Sequence, residues 1–268
     1  MELQAALAEY ERNGIAVFAI SYDSVGTLGA FSDKYSIAYP LLADEGSVVI
    51  RRLGLLNEQL QEHHAFYGGS VRDDQLGVPY PGAFILDERG VVIQKRFEDS
   101  YRARETAVGI LEGAFGMVSE VHGPEATAMH EGVTVRAYLD SPTYRSMQRL
   151  RLTVELRIAD GLHVYGTPIP DGYVPLTMEV GPVDGMVIGD LEAPEPIPFT
   201  IPGLDEAFQV YEGSVKVALP LTFELATADQ VLDVTVRYQV CSATDCRPPA
   251  ALQLQLPVSV LNHVERPG

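Results

Sequence analysis

Hydrophobic positions change their period once along the chain. From Leu3 to Asn13 apolar side chains recur at Leu3, Ala6, Leu7 and Tyr10, one helical face, and Gly14 supplies a left-handed stop. Ile15–Tyr22 (IAVFAISY) is a continuous apolar run of strand length, which predicts a parallel strand buried on both faces. Ser24 is placed to cap a second helix reaching Tyr35. Tyr39–Asp44 leads to a short helix around Val48–Leu53, and the polar stretch after it, with His63, His64, Gly68 and Gly69, reads as a loop. Ala83–Asp87, the turn Glu88–Gly90 and Val91–Phe97 read as a hairpin, and a last helix runs from about Ala103 to Phe115. Up to Met117 the chain therefore predicts an α/β domain.

Beyond Met117 the helical signal ends. Gly123–Ala126 breaks the pattern, and five segments then alternate with period two: Val133–Leu139, Leu150–Ile158, Val215–Leu221, Leu232–Val240 and Leu252–Val258. Separated by Gly and Pro, they predict an all-β antiparallel sandwich of immunoglobulin-like size. The expected organisation is an α/β domain over 1–117, a linker over 118–131, the sandwich over 132–262 and a tail over 263–268.

At 268 residues and 46% hydrophobic content the chain can bury two cores. Its formal net charge is −18, with 10 basic against 17 acidic side chains up to Met117 and 9 against 20 after it. Both halves are acidic, which argues against nucleic acid as a partner. No apolar run of about 18 residues is present, so no membrane span is expected, and the first 20 residues carry no charged-then-apolar export signal.

The chain has two cysteines, Cys241 and Cys246, within VRYQVCSATDCRPP (residues 236–249). Four residues separate them, a hairpin-loop length that sets the pair face to face across an antiparallel ladder, about 4.5–5.5 Å apart at Cα and inside disulfide range. Pro248 and Pro249 remove two ladder donors and put the pair at a rim. A bridge closing so small a loop restrains little unfolded-chain entropy, which weakens a purely structural purpose without excluding it. A zinc site needs four ligands, and there is no second cysteine pair; neither a metal nor another cofactor is expected. Structural bridge, idle thiols and exchanging dithiol all remain open on spacing alone. Asp245 sits beside Cys246, and Arg247 is the one nearby cation that could lower a thiol pKa; it reads equally as a solvated rim charge. The pair His63–His64 reads as solvated, without the carboxylate spacing of a metal helix.

Tyr238–Pro249 resembles the active hairpin of the family of amino-terminal, periplasmic domains of the thiol:disulfide interchange protein DsbD: tyrosine-glutamine, cysteine, short loop, cysteine, prolines. Asp160–Gly166 is similar to that family's early strand, and Asp205–Gly213 to its cap region, for a coverage of about Val133–Val260. The resemblance implies that Cys241 and Cys246 form the exchanging dithiol, flanked by His163, Tyr165, Tyr238 and Asp245, with Phe208 as the shielding aromatic. It further implies an extracytoplasmic location and, as partner, a thioredoxin-like redox protein or a disulfide-bearing substrate. Packing residues of core or rim are the plain alternative for His163, Tyr165 and Phe208.

Gly14–Asp23, Tyr39–Asp44 and Gly77–Gly90 resemble the thioredoxin-like redoxins of the alkyl hydroperoxide reductase and thiol-specific antioxidant family. That resemblance implies a cis bond at Pro81, after Tyr80. The redoxin cysteine, which would lie at the start of the first helix, is absent, as is the strand before it, so the expectation is an incomplete thioredoxin-like domain with its central strand missing. Three outcomes are open for the gap: the strand at 15–22 pairs directly with that at 83–87, a partner strand or a second copy fills it, or an apolar groove stays open. A natural chain that is longer upstream, carrying the missing strand and cysteines, is the expectation. Without a thiolate the first domain is expected to be catalytically dead. Thiol:disulfide exchange through Cys241 and Cys246 is the leading functional expectation; a docking module with a structural bridge, or a fragment of a longer redoxin or peroxiredoxin-type oxidoreductase, is the alternative.

Overall fold

The computed structural model describes residues 2–66, 69–97, 104–117, 123–200 and 207–261. The chain separates into two compact units, with the division between Ser119 and Glu120.

In the first unit, helix α1 (Glu2–Arg12) is followed by strand β1 (Ala19–Ser21), α2 (Val25–Tyr35), β2 (Leu41–Ala43), α3 (Val48–Arg52), α4 (Leu60–Phe66), a 3-10 turn (Asp73–Gln75), β3 (Gly82–Leu86), β4 (Val92–Phe97) and α5 (Ala107–Phe115). The caps follow from side-chain chemistry. Ser24 Oγ accepts the Thr27 N–H at the start of α2, and Thr106 Oγ1 accepts the Gly109 N–H at the start of α5. Gly14 closes the turn after α1 at φ +71°. The buried stripe Ala6 and Tyr10 of α1 packs on Ala107 and Leu111 of α5, and the Tyr10 hydroxyl donates to Ala107 O at 2.5 Å. Leu7 joins Ile37 and Tyr39 in a second small cluster.

Several expectations for this unit are corrected. The apolar run at 15–22 yields only a three-residue strand, and it is not buried on both faces: Val17 and Ala19 pack inward, but Phe18 is 62% exposed and Ile20 46%. The reason is that Leu7, Ile37 and Tyr39 cover the face that carries Val17, Ala19 and Leu41, while among the described residues the face that carries Phe18, Ile20 and Leu42 stays exposed. β3 and β4 form a separate antiparallel pair, so the strand at 19–21 does not pair with that at 82–86. The stretch with His63 and His64 is helix α4, because Leu60–Phe66 holds neither Gly nor Pro; Gly68 lies outside the described residues. Tyr80–Pro81 is not cis; among the described residues the cis bond is Thr167–Pro168. Tyr80 donates its N–H to Leu55 O at 2.7 Å and Leu56 bridges Pro79, so an extended trans backbone carries the chain into β3.

The second unit is made of strands: β5 (Glu125–His130), β6 (Val133–Leu139), β7 (Thr143–Tyr144), β8 (Gln148–Ile158), β9 (Leu162–Tyr165), β10 (Thr177–Val180), β11 (Met186–Ile188), β12 (Ile197–Thr200), β13 (Ala207–Tyr211), β14 (Ser214–Phe223), β15 (Gln230–Tyr238), β16 (Val240–Ser242) and β17 (Ala250–Val260). They form sheets of order β11-β14-β8-β6-β5, β10-β15-β17-β7 and β12-β13-β9-β16. Every pairing is antiparallel except β17 with β7. Alternation explains the core: Val133, Val135, Ala137 and Leu139 of β6, Leu150, Leu152, Val154 and Leu156 of β8, Val234 and Val236 of β15, and Leu254 and Leu256 of β17 all point into one cluster. No helix among the described residues is long and apolar enough to cross a membrane.

Candidate functional site

Cys241 does not end the long strand that precedes it, contrary to the pattern in the sequence. The ladder of β15 stops at Tyr238, and after Gln239 the chain enters the other four-stranded sheet as β16, paired with β9 in the register Val240↔Val164, Cys241↔His163 and Ser242↔Leu162. Gln239 fixes this change of sheet. Its side-chain oxygen accepts the Val174 N–H at 3.1 Å and its amide nitrogen donates to Arg247 O at 3.0 Å, tying the cysteine hairpin to the segment between β9 and β10.

The loop Ser242–Asp245 is held by local chemistry. Ser242 Oγ accepts the N–H groups of Thr244 and Asp245, and the Ser242 N–H donates to Asp245 O at 2.7 Å. Cys246 is thereby returned opposite Cys241, and the two are bonded, with Cα atoms 4.1 Å apart. The sulfurs live in different surroundings. Cys241 is 0% exposed, whereas Cys246 lies on the exposed loop.

Side-chain alternation gives the sheet β12-β13-β9-β16 two faces. Val164, Tyr211 and Val240 enter the main core; Tyr165, Phe208, Val210 and Cys241 form a separate cluster on the other face, joined by Phe199 and Tyr173. Tyr165 packs on Tyr173 and Phe208 with ring centroids 5.1 and 5.5 Å apart, and Tyr173 meets Phe208 edge-on at 5.0 Å. His163 lies between Phe199, at 4.4 Å, and Tyr165, at 5.5 Å. The Tyr165 hydroxyl is 3.3 Å from Cys246 Sγ; a disulfide sulfur has no proton, so the phenol donates. Burial raises the Tyr165 pKa, with a smaller push from Tyr173, and keeps the group protonated.

Of the residues singled out in the sequence, Cys241, Cys246, His163, Tyr165 and Phe208 come together on this face. Tyr238 does not: it lies in the main core, fully buried, its hydroxyl pushed up to about 12 by burial first and the Glu131 charge second. Asp245 is exposed in the turn, held there by its backbone. Asp205 and Glu206 of the cap region lie outside the described residues. Arg247 is paired with the carboxylate of Glu131 and donates to Glu131 O at 2.9 Å, so its charge is compensated by an acid instead of facing a sulfur. Tyr173, Phe199 and Gln239 were missed. Phe199 reaches this face through its register opposite Phe208, which no local signal gives, and Gln239 was visible only as part of a motif.

Residues 1–95 match the family model described as AhpC/TSA family, and residues 136–257 match that of the thiol:disulfide interchange protein DsbD, N-terminal. Each of the two matches covers less than half of the chain, and they do not overlap. Among solved structures it is similar to the N-terminal periplasmic domain of ScsB from Proteus mirabilis, at 15% identity over 51% of this chain and 51% of that one, with a TM-score of 0.37. It is also similar to the reduced DsbD N-terminal domain of Neisseria meningitidis, at 17% identity over 55% of this chain and 94% of that one, TM-score 0.31. A further similar structure contains the DsbD N-terminal domain in complex with the PilB N-terminal domain from Neisseria meningitidis, at 18% identity over 51% and 82%, TM-score 0.30. The chain thus spans about half the length of the ScsB domain. No curated protein sequence matches it. The two matched families, with the bonded cysteine pair, point to thiol–disulfide redox chemistry.

Proposed function

We propose that this protein relays electrons by thiol:disulfide exchange at Cys241–Cys246. The observation that carries this reading is the contrast between the two sulfurs, one on an exposed loop and one buried. A partner's thiolate attacks Cys246 Sγ and forms a mixed disulfide as the S–S bond breaks and its electron pair passes to Cys241. The partner's second thiol then loses its proton to the Cys241 thiolate and attacks its own mixed-disulfide sulfur, which releases Cys246 as thiolate. Two electrons have moved to the pair, the partner is oxidised, and the reverse sequence passes them on. Because Arg247 is compensated by Glu131, the hairpin has little to activate its own thiolate, which suits a passive relay driven by a partner's reactive thiol.

The sandwich is immunoglobulin-like on this reading, with an extracytoplasmic setting and a thioredoxin-like or disulfide-bearing partner. The first unit is an incomplete thioredoxin-like domain without a thiol role, since residues 1–117 contain no cysteine. A docking module with a closed structural bridge is the second reading, favoured by the full burial of Cys241. Equilibration with glutathione separates the two: a reduction potential above about −300 mV is expected for the relay, and one below it establishes the structural bridge. Cys246→Ser should abolish capture of a partner's thiol altogether.

A further inference from the structure

The cysteine face contains one buried polar atom without a hydrogen-bond partner among the described residues: Nε2 of His163, a residue that is 2% exposed. Such an orphan is costly in a folded protein and calls for a reason. In the β9–β16 register His163 stands directly opposite Cys241, and alternation puts both side chains on the same face of the sheet. The imidazole is held against Phe199 and Tyr165, which limits where Nε2 can turn. Burial lowers its pKa, an effect opposed more weakly by Glu212, so the ring is neutral near pH 7 and keeps one N–H and one acceptor nitrogen.

A disulfide sulfur offers Nε2 little. An opened bridge offers much more, because the electron pair that reaches Cys241 creates a thiolate, then a thiol, inside an apolar cluster that excludes water. We propose that His163 is the hydrogen-bonding partner of Cys241 in the reduced protein, so that its orphaned nitrogen in the oxidised form is satisfied when the bridge opens. The imidazole first donates to the leaving thiolate; after the partner's second thiol has supplied the proton, it hydrogen-bonds the Cys241 thiol. No net proton need leave the ring. The inference deepens the relay reading: His163 biases the pair towards the dithiol and eases departure of the Cys241 sulfur, whereas Tyr165 serves Cys246.

The test uses the full chain and glutathione as the probe. His163→Phe keeps an aromatic ring between Phe199 and Tyr165 but removes both nitrogens. It should make reduction about tenfold less favourable, the scale of one hydrogen bond to a charged or strongly polar group, which for two electrons is a potential about 30 mV more negative. His163→Gln, which retains a polar side-chain nitrogen, should recover most of the shift. Equal potentials for the native and His163→Phe proteins would overturn the proposal, and so would a Gln variant displaced as far as Phe. Nitrogen-15 NMR of His163 in the native chain gives an answer independent of any variant: Nε2 should shift on reduction, and an unmoved resonance sinks the idea. A native potential below about −300 mV would end the relay reading and leave the difference between variants intact, so the two failures are distinguishable.

Discussion

The two units handle their apolar residues in opposite ways. In the second, the inward side chains of β6, β8, β14, β15 and β17 form one cluster of almost fully buried residues. In the first, the core among the described residues is divided into two small clusters, and Phe18, Ile20 and Leu42 remain exposed on the outer side of a two-stranded sheet. A reactive pair needs a rigid support beneath an accessible edge, and only the second unit provides both: the sheet β12-β13-β9-β16 rests one face on the main core and turns the other to the cysteines.

Four measurements would break or sharpen that contrast. The largest effect belongs to Leu156→Ala, fully buried in β8, which should destabilise the second unit by about 2–5 kcal/mol in chemical denaturation; a loss below about 1 kcal/mol would mean the core is looser than its packing indicates. Gln239→Ala should cost about 1–2 kcal/mol through its two lost hydrogen bonds, and should speed reduction by dithiothreitol as the hairpin loosens from Val174.

The third is a pH dependence. Burial, outweighing Glu212, holds His163 below the 6.5 of an ordinary histidine, so the unfolded chain binds a proton that the folded one resists. This contribution is fully present above about pH 6.5 and is lost as pH falls below it. The stability of the second unit against denaturant should therefore fall as pH is lowered from about 7.5 to about 5.5, and His163→Phe should flatten that slope. The smallest effect is expected at Ile20→Thr in the first unit, within about 0.5 kcal/mol because the side chain is half in water already. A loss as large as that of Leu156→Ala would show that the outer face of β1 is buried in solution and erase the difference between the units.

Much of the fold was legible where causes are local. Ser24 as a cap, Gly14 as a stop, the hairpin around Asp87 and the alternation of β6, β8, β14 and β17 depend on a few neighbouring side chains. The facing of Cys241 and Cys246 was readable for the same reason, since the loop between them sets their spacing, whereas spacing alone left open whether they bond. What could not be read depends on partners distant in sequence. An apolar run such as IAVFAISY implies two covered faces only if something packs on both, and among the described residues the buried cluster lies on one of them. Nothing local marks Gln239 as the point where the chain leaves β15's sheet, because its hydrogen-bond partners lie at Val174 and Arg247.

The sequence by itself determined the long alternating strands of the second unit, the capped helices of the first, and that the two cysteines face each other, because these follow from period, capping and loop length. Tertiary structure alone decided that one sulfur is sealed among Tyr165, Phe208 and Val210 while the other meets solvent, and that His163 stands over the sealed one. Burial is a property of everything that packs around an atom, and those neighbours come from strands far apart in the chain.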